Sequence, residues 1–342
     1  MIDDFFLSKT YPKFYLKTEK KEIFALGKKE KKENFLVGFI PFSYKELESS
    51  LNFFYTPLNY SIDTPKNLKT EKIFISAPLR YKHDLSFASF EKKLAIIKEA
   101  IHQNQIQKAI LKRETLFSFQ NKIDLKSFFL KFCAINPNVF PFIYQENEDS
   151  FFFGGTPERL FSREKLLLKT MALAGTSTVD QFEKTGFFFD EKIRLEFQIV
   201  LDEIAKTLAS FSHEVFLNPV EIKQYQKLVH MHCLIEAKLK NAEDYTLIEK
   251  LHPTAAIIGH PKKASLNLIS QLEEKKRHHY ASCLGYIQED ESDFFVGIRS
   301  SVIEGNLLRA FAGVGIVEMS DPFKEWQELN LKIKPMKIWG SL

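Results

Sequence analysis

The chain has 342 residues, 44% hydrophobic and 27% charged, a globular mixture that excludes disorder and coiled coil and leaves length for one large core or two smaller ones. Its 48 Lys and Arg against 44 Asp and Glu give a net charge of +4, too slight to claim a nucleic acid or an anionic membrane surface. Although Phe alone contributes 34 residues, no apolar run reaches the roughly 18 that a membrane-spanning helix needs. The opening Met1-Ile2-Asp3-Asp4-Phe5 is acidic where a secretory leader is basic, and Cys133, Cys233 and Cys283 stand far apart with no C-x-x-C pair. A cytoplasmic location with reduced thiols is the expectation.

Residues 1–79 read as an irregular β-rich segment that completes the fold of a larger unit, 80–342. Strands are expected at 36–40 and 72–75, with breaks at Pro41, Pro57 and Pro65, and the mixed-sign run Lys28-Lys29-Glu30-Lys31-Lys32 as a solvated turn. Phe90, Leu94, Ile97 and Ile101 recur at helical spacing, predicting an amphipathic helix over 86–104 that leads into a strand over 107–116. Residues 151–176 read as a three-stranded meander whose first reversal is Gly154-Gly155-Thr156-Pro157. A second helix is expected over 190–208, with Ile193, Phe197, Val200, Leu201, Ile204 and Leu208 in one apolar stripe, and a third over 221–239. Two strands, 293–303 and 307–317, precede a helix capped by Ser320 or Asp321 with Pro322 at its first position. Strands and helices without strict alternation favour an α+β fold with antiparallel sheets.

Several groups stand where they could do chemistry. Glu325, Glu328 and Lys332 follow i, i+3, i+7 spacing and share one helix face, which is either a solvated face with an i,i+4 ion pair or a site for a hard cation such as Mg²⁺. Glu196 borders the apolar stripe of its helix. Arg299 is expected to rise between Gly297 and Ser301 on one strand face, a planar fork suited to a carboxylate, beside a strand ending in Ala312-Gly313-Val314-Gly315. Lys108 opens a strand and Glu158 follows the Gly-Gly-Thr-Pro turn; periodicity does not separate surface charge from function for either. Within the third expected helix His230 and His232 would point about 200° apart, too far for one zinc to take both.

Together the segments Phe153-Gly154-Gly155-Thr156-Pro157-Glu158-Arg159-Leu160, Ala172-Leu173-Ala174-Gly175-Thr176, Leu251-His252-Pro253-Thr254-Ala255-Ala256, Gly285-Tyr286, Ile298-Arg299-Ser300, Ala312-Gly313-Val314-Gly315-Ile316-Val317, Ser320-Asp321-Pro322 and Glu325-Trp326-Gln327-Glu328 resemble the chorismate-utilising enzymes. The resemblance covers roughly residues 80–338 and is strongest to isochorismate synthases. Lys108 falls where the water-using members carry their base, and Ala174 stands where aminodeoxychorismate synthases have a nucleophilic lysine. It implies the anthranilate synthase component I type of fold and an isomerase that adds water to C2 of chorismate and expels the C4 hydroxyl. Lys108 is then the base and Glu158 the acid. Mg²⁺ is held by Glu196 and Glu328 with Glu325 nearby. Arg299, Gly313 and Lys332 hold the enolpyruvyl carboxylate, Gly175 or Thr176 adds a hydrogen bond, His230 orients substrate, and Ala256 is the small residue after the Thr-Pro pair. Supply of menaquinone is the expected purpose, with siderophore or salicylate supply as the other. Salicylate synthase and a non-catalytic chorismate-binding protein are the competing readings. A monomer with no glutamine amidotransferase subunit, no nucleic acid and no membrane is expected. The chain departs from the family at Ala255, Phe197 and Ser282, and at Ser177-Thr178-Val179-Asp180, which replaces the usual Arg-Gly.

Overall fold

The structure, a computed structural model, describes residues 1–29, 34–42, 54–64, 73–185 and 190–339. Among the described residues two antiparallel sheets of ten and nine strands face each other across an aromatic core, with helices packed outside, an α+β architecture as the sequence predicts. The abundant Phe does the bridging. Phe39 of one sheet stacks on Tyr144 of the other at 4.4 Å between ring centroids and meets Phe152 edge-on at 5.5 Å, while Phe140 and Phe295 pair at 4.6 Å. Flat rings bury large apolar areas, and edge-to-face geometry adds to that burial. Strands from the first 79 residues join both sheets: Lys13–Lys17 pairs with Phe140–Gln145, and Phe35–Phe42 pairs with His278–Gln288. Among the described residues no helix is long and apolar enough to cross a membrane.

Helices form where a cap and an apolar stripe coincide. Ser86 accepts from the Ser89 N–H and opens Phe87–His102, burying Phe90, Leu94, Ile97 and Ala100. Asp190 likewise accepts from Ile193 N–H at the start of Glu191–Phe211, and Asp321 from Lys324 N–H ahead of Pro322–Ile333. This last helix lies on strand Leu307–Ile316 and turns Glu325 inward, 2% exposed, so the solvated-face alternative fails for that residue.

Five expectations need correction. Residues 221–239 are not a helix but two strands, Glu221–Tyr225 and Leu228–Leu239, hairpinned through Gln226 at φ 54°. Residues 151–176 are not one meander: Phe151–Thr156 belongs to the ten-stranded sheet, whereas Arg159–Glu164 and Leu167–Thr178 belong to the other. Residues 293–303 likewise split into Glu291–Val296 in one sheet and Ser300–Glu304 in the other, with Arg299 at φ 49° in the crossing. Pro41 lies inside strand Phe35–Phe42, and 73–75 form no strand. Lys72, Pro65 and the centre of the charged run, Glu30 to Lys32, fall outside the described residues.

The two crossings hold each other. Gly155 N–H donates to the Arg299 carbonyl at 3.2 Å, and Val296 N–H donates to the Glu158 carbonyl at 3.1 Å. A third tie is the fully buried Arg277 guanidinium, which donates to the carbonyls of Ile110 and Ile257, both at 2.7 Å, and pairs with Glu273. Glu273 in turn accepts from Lys112 N–H. Breaking one member of a buried pair strands the other charge, at about 3–5 kcal/mol. Arg277→Met is therefore expected to lose about that much stability in urea unfolding, and Arg277→Met with Glu273→Met to lose clearly less than the sum of the two single changes. Additive losses would show that the pair is not coupled.

Candidate active site

Where the two crossings meet, a narrow cavity of about 70 Å³ opens between the sheets. Glu158, Thr176, Glu196, His230, Ala256, Arg299, Gly313 and Lys332, all singled out in the sequence, line it. They arrive from separate elements: Glu158 and Arg299 from the crossings, Thr176 from Leu167–Thr178, Glu196 from Glu191–Phe211, Gly313 from Leu307–Ile316 and Lys332 from Pro322–Ile333. Gly175 sits at the bulge of its strand, φ 66°, and is not part of the lining.

Lys108 is the first residue of strand Lys108–Ser118 and fully buried. Among the described residues its Nζ makes no hydrogen bond; it lies 3.3 Å from Glu196 Oε1, and Lys108 itself is not among the residues that line the cavity. Gly315 makes room for this pair. A Cβ there would stand 2.1 Å from Glu196 Oε1 and 2.8 Å from Lys108 Cε. Burial lowers the Lys108 pKa, opposed by the nearby Glu196 charge. Glu158 shifts the other way. Burial pushes its carboxyl up to about 7, with Lys108 and a long 3.4 Å hydrogen bond from Thr254 Oγ1 pulling back.

His230 stands on a strand, not the expected helix, so His230 and His232 share a face and the angular argument against a common zinc does not hold. Its surroundings assign it another task. Arg299 Nη2 lies 3.4 Å from Nε2 and Thr176 Oγ1 3.1 Å from Nδ1. Guanidinium can only donate, so Nε2 accepts and the proton sits on Nδ1. Burial, then Arg299 and Lys332, hold the ring well below its ordinary pKa and keep it neutral.

Glu325 and Glu328 lie behind this cavity, lining a second one of about 260 Å³ with Asp190, Lys192 and Thr176. Lys192, which the sequence reading passed over, joins the carboxylates: its Nζ is 2.9 Å from Glu325 Oε1 and 3.3 Å from Glu196 Oε2. Glu328 Oε1 takes the Lys332 ammonium at 2.6 Å, and Lys332 also donates to the Gly313 carbonyl at 2.9 Å. Burial works against the Lys192 charge, but Glu196, Glu328 and Glu325 outweigh it and raise its pKa. Burial likewise raises the Glu325 carboxyl, whereas Lys192, Lys108 and Lys332 overcome burial at Glu196 and lower it. Among the described residues no three His, Cys, Asp or Glu side chains converge into a ready metal cage.

Sequence reasoning also missed Tyr280, a fully buried cavity residue whose hydroxyl burial pushes up to about 12. It missed Thr254 as a partner of Glu158. Tyr280 stands two residues before the departure at Ser282, and Thr254 lies in the quoted segment Leu251-His252-Pro253-Thr254-Ala255-Ala256, but neither side chain carried a distinguishing pattern of its own.

The chain is 36% identical over 239 residues to the isochorismate synthase MenF of Haemophilus influenzae, and 30% identical over 240 residues to that of Escherichia coli. Each alignment takes in 68% of this chain and 56% of the relative, so the chain spans a little over half the length of these proteins. In three dimensions it is similar to the menaquinone-specific isochorismate synthase MenF from Escherichia coli, with a TM-score of 0.87 and 22% identity over 98% of this chain and 90% of that one. Anthranilate synthase component I from Streptococcus pneumoniae shares the fold at a TM-score of 0.74 and 19% identity, over 92% and 82% of the two chains. Residues 47–338 match the family model described as chorismate binding enzyme, a span that contains every residue of the site, and the chain belongs to that family.

Proposed function

We propose that the protein is an isochorismate synthase that isomerises chorismate with Mg²⁺ as cofactor, in the service of menaquinone synthesis. The observation that carries this reading is a cavity lined by a buried carboxyl of raised pKa, Glu158, and by Glu196, whose Oε1 lies 3.3 Å from the buried Lys108 amine of lowered pKa, with Glu158 and Lys108 each shifted toward the protonation state that the reaction needs. Neutral Lys108 takes a proton from water as its oxygen bonds to C2. The ring double bonds shift, the C4–O bond breaks, and the Glu158 proton passes to the departing hydroxyl, which leaves as water. A proton returned from Lys108 to Glu158 resets the site.

Chorismate carries two carboxylates. Arg299, held by His230, and Lys332 supply positive charge for the enolpyruvyl one, with Tyr280 and Thr176 as further hydrogen-bonding groups on the wall. Mg²⁺ suits the other. Glu196 and Glu328, with Glu325 nearby, would hold it: among the described residues the buried Oε2 atoms of Glu196 and Glu325 accept no hydrogen bond, and magnesium is commonly held by one or two carboxylates plus substrate oxygens, so a full protein cage is not required. When bound, the metal would offset the charge of the ring carboxylate and orient it. Water as nucleophile would need no amidotransferase subunit. Three free cysteines, Cys133, Cys233 and Cys283, fit a reducing cytoplasm.

Purified protein incubated with chorismate and Mg²⁺ should yield isochorismate on chromatography, and chelation of the metal should abolish it. Salicylate with pyruvate would select a salicylate synthase instead, and calorimetric binding of chorismate without turnover a binding protein.

Lys108→Gln and Glu158→Gln should each lower kcat about 10²–10⁴-fold with the unfolding midpoint little changed. In the wild type kcat/KM should fall above about pH 7, where Glu158 loses its proton, and fall again on the acid side as Lys108 gains one. A Glu158→Gln variant that retains the alkaline limb would show that another group is the acid. Gly315→Ala should force the Lys108–Glu196 pair apart and reduce kcat at least about tenfold in a folded protein, read by kinetics beside circular dichroism.

A further inference from the structure

Three glutamates gathered behind the cavity ought to repel one another, yet two of them have an ammonium group between them. Lys192 Nζ contacts both Glu325 and Glu196, at 2.9 and 3.3 Å, and no other cation is paired with Glu325 among the described residues. The outer oxygens tell the same story. Oε2 of Glu196 and Oε2 of Glu325 are buried and accept no hydrogen bond, so the lysine leaves coordination capacity on each carboxylate unused. On each carboxylate one oxygen is left without a donor, and a divalent ion offers more charge at shorter range.

We propose that Lys192 is the resident cation of this carboxylate cluster and that a divalent metal binds by displacing its ammonium into the neighbouring cavity. The inference rests on the reading of Glu196, Glu328 and Glu325 as the carboxylates that hold the metal.

Geometry permits the exchange. The Lys192 side chain is 17% exposed, unlike Lys108 at 1%, and it lines the cavity of about 260 Å³ that also presents Asp190, Gln181 and Lys324. Its helix position fixes the distance: Lys192 is one turn before Glu196, so rotation about its own side-chain bonds carries the ammonium away from the carboxylate without moving the backbone. Lys108 has no such path. It stays beside Glu196 Oε1, so of the two lysines on this carboxylate only Lys192, at Oε2, can withdraw. The exchange also conserves the cluster. Without metal the ammonium keeps the glutamates together; with metal the lysine is not needed there, and leaving it in place would add repulsion.

Two measurements test this on the full chain with Mg²⁺ as the only ligand. In calorimetric titration of the metal-free protein, Lys192→Met should bind Mg²⁺ about tenfold tighter than wild type, and Lys192→Arg, which keeps the charge, should not. The second uses wild type alone and so survives a variant that does not fold. Lys192 should be slow to react with acetic anhydride in the metal-free protein and become at least about threefold faster at saturating Mg²⁺, as read by peptide mass spectrometry. Metal binding by the wild type with unchanged Lys192 labelling, or with no gain in affinity for Lys192→Met, overturns the displacement and leaves the metal reading intact. Failure of the wild type and Lys192→Met alike to bind Mg²⁺ overturns the metal reading, and the displacement with it.

Discussion

The carboxylate of Glu196 is buried between the side chains of two lysines, and the character of the whole cleft follows from that pairing. A lone ion taken from water into a protein interior loses several kcal/mol of hydration, so Glu196 keeps its charge only because Lys108 and Lys192 stand at 3.3 Å on its two oxygens. The same reasoning extends outward. Lys192 reaches on to Glu325, Lys332 takes Glu328, and Arg299 leans on the neutral His230. With all groups ionised, Lys108, Lys192, Lys332 and Arg299 balance Glu158, Glu196, Glu325 and Glu328. A dianionic substrate would upset that balance by two charges, and the proposed divalent cation would restore it. Metal and substrate are thus expected to favour each other thermodynamically, since each supplies the charge that the other's burial demands.

Convergence of these groups depends on where the chain changes sheets. Had residues 151–164 formed a simple hairpin, Glu158 would sit on a turn at a sheet edge, open to water and with an ordinary carboxyl pKa. Because the chain instead leaves one sheet and enters the other at Pro157, the following glutamate is caught in the seam between them. Arg299 arrives by the reverse crossing, and the two segments hydrogen-bond to each other's backbones. The seam is therefore rigid where acid and anion-binding groups must stay in register. Function placed on a rigid frame loses little entropy when ligand binds.

How much of this could be read from the sequence varied with how local the governing physics is. Helix Glu191–Phe211 has its cap and its stripe in consecutive residues, and helix Pro322–Ile333 has Asp321 and Pro322, so both were legible. Leu228–Leu239 was not. Its first six residues are buried, so the alternation that marks a strand is missing, and Ile222, Tyr225 and Val229 mimic a helical stripe. The turn before it runs through Gln226 in the left-handed region without any glycine to announce it. Both sheet crossings hid for a related reason: Thr156-Pro157 reads as a tight reversal and Ile298-Arg299 as continuous strand, and only pairing partners far along the chain distinguish the alternatives. Lys192 was invisible because a lysine in a helix's first turn looks solvated until a second helix brings Glu325 against it. The site residues were found through the family resemblance, which encodes tertiary convergence that periodicity cannot carry.

A cleft so thoroughly paired with itself also constrains binding. An anion that meets Lys332 competes with Glu328 for the ammonium, and one that meets Arg299 competes with His230 for the guanidinium, although each cation keeps N–H donors to spare. Net affinity is the difference between new pairs and old ones, which keeps it moderate however many charges are involved. Selectivity gains from the same exchange. A monoanion can compensate one opened pair and leaves the other stranded in a cavity of about 70 Å³, whereas a ligand with two carboxylates at the right separation compensates both. Internal pairing therefore makes the cleft discriminate by the number and spacing of negative charges before any contact with the ring is considered.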